Sequence, residues 1–382
     1  MNELYHIAKK VYPSDKMGML SMLDMLDFFI KRGPMRVSDL HVKVGAAPAY
    51  RIDGDMIPIN GPALTQEMAH QLIFPLINEQ KRVDLNQTSS VDAAYRYKDL
   101  QFRINVFQER DGLCAAIRAL TMQIPTIADI GFPNTIWQDI INLKTGLVLV
   151  TGITGAGKST TIASMISLIS KERRCRIITL EDPVEYLFAQ EKSMISQREV
   201  GQDVSSFVDG LRSLMRQDPD IIFVGEMRDP ETISMTLMAA ETGHLVFSTL
   251  HTRDATGTIT RIMDYFPPER QAEVRNQLSL GLKYIVCQKL VPQKDGNGRI
   301  VAMEILNNNY ACANLIRTGK IEQLYSQLQS RIRDRPDEKM ITMESHLSQL
   351  VRQNRLDMLE AQKWANNPIA FADLMRKIND SH

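Results

Sequence analysis

The chain has 382 residues, 44% of them hydrophobic, which is more core material than a single domain usually organises, so two domains are expected. Lys plus Arg and Asp plus Glu both total 45. That zero formal net charge, with 6% aromatic residues, supplies neither the basic field nor the stacking platforms of a nucleic-acid translocase.

Cys114, Cys175, Cys287 and Cys312 stand far apart with no C-x-x-C pair, which argues against a zinc site and for buried thiols in a reducing cytosol. The first residues do not form a secretory signal. The apolar region Met17 to Ile30 is interrupted by Asp24 and Asp27 and is too short for a bilayer, so a soluble protein is expected.

In chain order, Ser14-Asp15 reads as the cap of a helix running to about Lys31 and stopped by Gly33-Pro34. Its Met-rich stripe suits core or a subunit contact. Asp39 to Gly45 alternates like a strand, and Ala49 to Ile52 pairs with Met56-Ile57 across the turn Asp53-Gly54-Asp55. A helix around Thr65 to Glu79 precedes strands near Val91 to Tyr97, Leu100 to Gln108 and Leu113 to Leu120. This mixture predicts an α+β domain ending near residue 118.

Thr121 to Pro133, with Pro125, Gly131 and Pro133, loses periodicity and reads as a linker. From Trp137 onward helical and strand patterns alternate, which predicts an α/β fold with a largely parallel sheet. Strands are expected at Leu147 to Val150, Arg176 to Leu180, Ile221 to Val224 and Leu245 to Thr249. Beyond a polar turn at Pro292 to Gly298 the chain becomes helical, over Tyr310–Thr318, Ile321–Arg331, Thr342–Gln353, Met358–Trp364 and Ile369–Ile378.

Gly152-Ile153-Thr154-Gly155-Ala156-Gly157-Lys158-Ser159 fits G-x-x-x-x-G-K-[ST] between the strand at Leu147 and the helical pattern of Thr160 to Ile169. Glycines 152, 155 and 157 let the backbone turn so that its N–H groups, with the helix N-terminus, cradle phosphate. Lys158 reaches the β- and γ-phosphates and the Ser159 hydroxyl ligates Mg²⁺. Carboxylates are needed at nearby strand ends, and two blocks meet that need. One is Glu226, after Ile221-Ile222-Phe223-Val224-Gly225, where a Walker B Asp more usually stands; the other is Glu181-Asp182-Pro183-Val184-Glu185. The residues by themselves rank neither Glu185 nor Glu226 as the base. A strand bracketed by His244 and His251 ends in Ser248-Thr249-Leu250-His251-Thr252, where an imidazole can report on a γ-phosphate.

These blocks, in this order, resemble the type II/IV secretion ATPase superfamily: phosphate loop, Asp box, Walker B and His box. Ser38-Asp39-Leu40-His41, Tyr50-Arg51-Ile52-Asp53-Gly54, Phe102-Arg103-Ile104-Asn105 and Asp264-Tyr265-Phe266-Pro267-Pro268 extend the likeness over nearly the whole chain. Within the superfamily the sequence is most similar to the type IV pilus retraction motors, the PilT/PilU group, with details leaning to the PilU branch. Assembly and type II secretion motors, the alternative, usually carry a longer N-terminal region and a four-cysteine zinc insert, and the sequence has neither. Ala311-Cys312-Ala313-Asn314-Leu315-Ile316-Arg317 departs from the Ala-Ile-Arg-x-Leu-Ile of retraction motors.

The resemblance implies a PAS-like domain over residues 1–118, a linker over 119–133, a RecA-like ATPase domain over 134–309 and a helical C-terminal subdomain over 310–382. It implies an ATP- and Mg²⁺-dependent ATPase with nucleotide on Gly152, Thr154, Gly155, Ala156, Gly157, Lys158, Ser159 and Thr160, and Mg²⁺ on Ser159 and, through water, Glu226. Glu185 becomes the base that orients water, and His251, with His244 less securely, couples the γ-phosphate to domain movement. Arg103 and Arg118 match arginines that complete a neighbour's site in a homo-hexamer. The implied partners are a companion PilT-like ATPase and an inner-membrane platform protein, the implied place is the cytoplasmic face of that membrane, and neither zinc nor nucleic acid is implied. A nucleotide-binding scaffold for a partner motor, without need of its own hydrolysis, is the reading from another class.

Overall fold

Where a helix is expected from Ser14, the chain instead makes a hairpin of β1 (Tyr12–Ser14) and β2 (Gly18–Leu20), and helix α1 (Met22–Arg32) starts later. Gly18, at φ 69°, provides the turn, and Ser21 with Asp24 closes a capping box. The Ser21 hydroxyl accepts the Asp24 N–H at 3.2 Å and the Asp24 carboxylate accepts the Ser21 N–H at 2.6 Å. Ser21→Ala is therefore expected to lower stability by about 1 kcal/mol in urea unfolding, with nucleotide binding unaffected. The computed structural model describes residues 5–33, 36–52, 54–98, 100–120, 123–296 and 298–379, so Pro34, Asp53, Thr121 and Asn297, which the sequence reading uses, lie outside the described residues.

The chain divides into two units, Met1–Gln123 and Ile124–His382. In the first, β3 (Val37–Lys43), β4 (Ala49–Ile52), β5 (Asp55–Pro58), β6 (Ser90–Tyr97), β7 (Leu100–Glu109) and β8 (Gly112–Leu120) form an antiparallel sheet in the order β5-β4-β3-β8-β7-β6. The helix expected at 65–79 is shorter: α2 (Gln66–Ile73) ends where Pro75, which has no N–H, sits in a 3₁₀ turn, and a further helix not among the expected ones, α3 (Glu79–Thr88), follows an Asn78 cap. Helix α3 buries Leu85 alone and so offers no apolar stripe to read.

The second unit opens inside the expected linker with α4 (Ile127–Ile130), capped by Thr126 and ended by Gly131 at φ 75°. There follow α5 (Ile136–Asn142), β9 (Gly146–Thr151), α6 (Lys158–Glu172), β10 (Arg176–Glu181), β11 (Met194–Glu199), α7 (Phe207–Leu214), β12 (Ile221–Val224) and α8 (Pro230–Glu241). Then come β13 (Leu245–Leu250), α9 (Ala255–Asp264), α10 (Pro268–Gly281), β14 (Leu282–Pro292) and β15 (Arg299–Asn307). The sheet runs β11-β10-β12-β13-β9-β14-β15, parallel except for the β14–β15 hairpin. Strands β9, β12 and β13 are buried along their whole length between helical layers, which is why they read as unbroken apolar runs. Strands β11, β14 and β15 are not among the expected ones. Helix α10 passes into β14 across Gly281 with no polar break, and β11 alternates too weakly.

Helices α11 (Tyr310–Arg317), α12 (Leu324–Asp334), α13 (Met343–Arg352), α14 (Met358–Trp364) and α15 (Pro368–Asn379) complete this unit. Val291, Ile300 and Ala302 of the β14–β15 hairpin share a core with Met343, Leu347, Leu350 and Phe371. Because the central strands are parallel, their C-terminal ends lie along one edge, where ligands of such sheets bind.

Candidate nucleotide site

Strand β9 ends at Thr151 and the backbone turns through Gly152, Gly155 and Gly157, at φ 152°, 76° and 83°, before Lys158 starts α6. No side chain caps that helix, so its first N–H groups remain for an anion. Lys158 is buried; its Nζ donates to the carbonyls of Gly152 at 3.0 Å and Ile153 at 3.3 Å and lies 3.4 Å from His251 Nδ1. Burial lowers its pKa, and the nearby carboxylates of Glu226 and Glu185 pull the other way.

Strand β12 brings Glu226 in beside β13. The Ser248 hydroxyl donates to the Val224 carbonyl at 2.8 Å and the Thr249 hydroxyl to the Gly225 carbonyl at 2.6 Å, which locks the two strand ends together. Glycine stands before Glu226 for a reason: a Cβ there would meet the Glu181 Cα and the Leu180 carbonyl at 3.3 Å. Glu226 is paired with Arg228, and its other oxygen lies 3.5 Å from His251 Nε2; Arg228 in turn lies 3.9 Å from Asp182.

His251 has its pKa lowered, by burial first and then by Lys158, so it is neutral at pH 7. Its partners assign the tautomer: Nε2–H faces the Glu226 carboxylate, which can only accept, and the Nδ1 lone pair faces the Lys158 ammonium, which can only donate. Lys158, His251, Glu226, Arg228 and Asp182 thus form one polar chain along the sheet edge. His244 is not part of it. It sits at the opposite end of β13, with Nδ1 2.9 Å from the Ala239 carbonyl at the C-terminal end of α8, so the structure gives it no place near the phosphate loop.

Glu185 is exposed on the loop after β10, and the edge strand β11 straps that loop down. The Glu199 carboxylate accepts the Val184 N–H at 3.0 Å, and the Gln197 amide donates to the Tyr186 carbonyl at 2.8 Å. Tyr186 OH lies 2.8 Å from the Thr160 hydroxyl in the first turn of α6, tying the Glu185 loop to the phosphate loop's helix. Gln197, Glu199 and Tyr186 carry no motif signal. Another residue without one is Gln288 of β14, which lies under the loop and bonds to Ala156 and Thr161.

Glu181, beneath these loops, is buried with its pKa pushed up to about 7 by desolvation, against a pull from the Thr179 hydroxyl at 2.6 Å. The folded protein therefore holds a proton that the unfolded chain releases between about pH 4.5 and 7, and this contribution to stability is lost as pH rises through that window. Glu181→Gln is expected to flatten the decline, by up to about 1.4 kcal/mol per pH unit, in urea unfolding measured from pH 4.5 to 8.

Arg103 and Arg118 lie in the first unit, directly opposite each other on β7 and β8. Arg118 Nε bonds Asp39 at 2.8 Å, and Arg51 lies 3.8 Å from the same carboxylate. Among the described residues no group of three or more His, Cys, Asp or Glu side chains is arranged to hold a metal ion. No helix among them is long and apolar enough to cross a membrane.

The family model described as type II/IV secretion system protein matches residues 34–365. The chain belongs to that family. The type IV pilus retraction ATPase PilT of Pseudomonas aeruginosa is 41% identical over 312 residues, 81% of this chain and 89% of that protein. The type IV pilus ATPase PilU of the same organism is 34% identical over 331 residues, 86% of this chain and 85% of that protein. A crystal structure of the pilus retraction motor PilT with bound ADP superposes with a TM-score of 0.84 at 43% identity, covering 92% of this chain and 98% of that one. Membership is thus on the PilT-like branch of the secretion ATPases, with their α/β fold. Identity puts PilT above PilU, 41% against 34%, so it does not favour the expected lean toward PilU.

Proposed function

We propose that this chain is a Mg²⁺-dependent ATP-hydrolysing subunit of a hexameric ring motor that powers or assists retraction of type IV pili and so twitching motility. The observation that carries the reading is the polar chain from Lys158 through His251 to Glu226, Arg228 and Asp182, with the Glu185 loop tied to α6 beside it. Phosphate rests on Gly152, Thr154, Gly155, Ala156, Gly157, Lys158, Ser159 and Thr160. Ser159 and, through water, Glu226 would hold Mg²⁺, for which their hard oxygens are suited and which would supply charge neutralisation at the phosphate oxygens. Glu185 orients and deprotonates the attacking water. His251, neutral and placed between Lys158 and Glu226, passes the state of the γ-phosphate to the sheet edge. Arg103 and Arg118 complete the site of a neighbouring subunit, and the ring acts at the cytoplasmic face of the inner membrane on a pilus platform protein.

The test is a deletion strain. Hyperpiliated, non-twitching cells support retraction, whereas bald cells would mean assembly or secretion. The departure at Ala311 to Arg317 favours a second reading, an auxiliary motor working with a companion PilT-like ATPase; this stretch lies on α11, whose first residue, Tyr310, is 85% exposed. Complementation by Lys158→Ala with and without the companion tests it. An auxiliary motor needs both its own Lys158 and the companion, so Lys158→Ala should not restore retraction even with the companion present; retraction restored by this variant with the companion would favour a nucleotide-binding scaffold without need of its own hydrolysis.

A further inference from the structure

Strand β14 runs beside β9 with Cys287 opposite Thr151, and it continues to Pro292 where β9 gives way to the phosphate loop. Gln288 is therefore level with the start of the loop, and it is 1% exposed. Its side-chain amide uses both ends. Nε2 donates to the Ala156 carbonyl at 2.6 Å, and Oε1 accepts the Thr161 hydroxyl of α6 at 3.0 Å. The end glycines of the motif pack on the same residue. A Cβ at Gly152 would lie 2.4 Å from the Gln288 carbonyl oxygen, and one at Gly157 would lie 3.3 Å from Gln288 Nε2.

We infer that Gln288 is a positioning residue for the phosphate-binding backbone. The peptide between Ala156 and Gly157 is planar and trans, so its C=O and N–H point in opposite directions. Pinning the Ala156 carbonyl toward β14 aims the Gly157 N–H away from that strand, toward the side of the loop on which an anion would bind. Gln288 thus sets the direction of a donor it does not touch. The strand beneath is itself anchored. On the other face of β14, Lys289 Nζ donates to the Trp364 carbonyl at 2.7 Å and to Asn366 Oδ1 at 2.6 Å, tying this stretch of strand to the loop between α14 and α15.

The chemistry admits few substitutes. Glutamate keeps the acceptor for Thr161 but, when ionised, has no hydrogen for the Ala156 carbonyl; leucine keeps the volume and loses both bonds.

The inference rests on Gly152–Ser159 being the nucleotide cradle, and the experiment tests both. ADP affinity is measured by calorimetry at pH 9, where a carboxyl buried at position 288 is ionised, with thermal melting alongside, for Gln288→Leu, Gln288→Glu, Thr161→Val and Lys158→Ala. Gln288→Leu and Gln288→Glu are each expected to raise the ADP Kd about tenfold, the scale of one lost buried hydrogen bond. Thr161→Val removes the helix-side bond and leaves the Ala156 peptide held, so its Kd is expected to stay within about threefold. A merely structural role would make affinity follow melting temperature across all three. An ADP Kd for Gln288→Glu within about twofold of the unsubstituted protein, or a Thr161→Val effect as large as that of Gln288→Glu, would overturn the inference. Should Gln288→Leu fail to fold, the other two substitutions still decide. Wild-type ADP binding by Lys158→Ala would instead remove the cradle assignment, and the inference with it.

Discussion

Replacing Lys158 with alanine is expected to lower ATP turnover by about two to three orders of magnitude, the scale seen when one preorganised donor is taken from developing transition-state charge. Lys158 is the buried cation of the loop, held by two of the loop's own carbonyls and by His251. With those three partners its donors are all engaged, so a phosphate oxygen takes the place of at least one of them. Alanine leaves the loop glycines and the α6 N-terminus intact, so nucleotide affinity should fall while the fold persists. Because burial already disfavours the ammonium, its removal should move the melting midpoint of the free protein little. Lys158→Arg should not rescue, since a planar guanidinium replaces a compact ammonium in a buried position. Coupled-assay ATPase rates with ADP calorimetry check this, and undiminished turnover in Lys158→Ala would sink the site assignment.

Glu185→Gln is expected to cost about two to four orders of magnitude in kcat, the range of general-base catalysis, with ADP affinity nearly unchanged. The structure distinguishes the two carboxylates that the residues by themselves do not rank. Glu226 is engaged by Arg228 on one oxygen and by His251 on the other, which suits an orienting ligand and leaves a poor proton acceptor. Glu185 has no ion pair among the described residues and sits on a loop fixed by Gln197, Glu199 and Tyr186, exposed to water. Glu226→Gln should therefore weaken nucleotide binding and loosen His251 along with turnover. If Glu226→Gln abolishes turnover at unchanged ADP affinity while Glu185→Gln stays active, the two roles must be exchanged.

The elements that carry the candidate site were legible because its parts are short, local patterns with strict residue demands. A strand, a glycine-rich turn and a Lys-Ser helix start lie within about 25 consecutive residues and can be read without knowing what surrounds them. The same holds for β12 ending at Glu226 and β13 ending near His251, since strands buried on both faces must be apolar throughout. The opening hairpin was hidden because Ser14-Asp15 reads as a cap, whereas the helix starts from Ser21, whose box the Asp24 carboxylate closes.

What the sequence by itself determined is the phosphate loop, the order of the carboxylate and histidine blocks, and the parallel sheet that presents them on one edge. The tertiary structure alone decided that His244 stands at the far end of β13, that His251 stands between Lys158 and Glu226, and that β11 straps the Glu185 loop. It also decided that Gln288, 132 residues beyond Ala156, holds the loop from below. The reason is physical: a hydrogen bond between distant strands depends on register and burial, which no local residue pattern encodes.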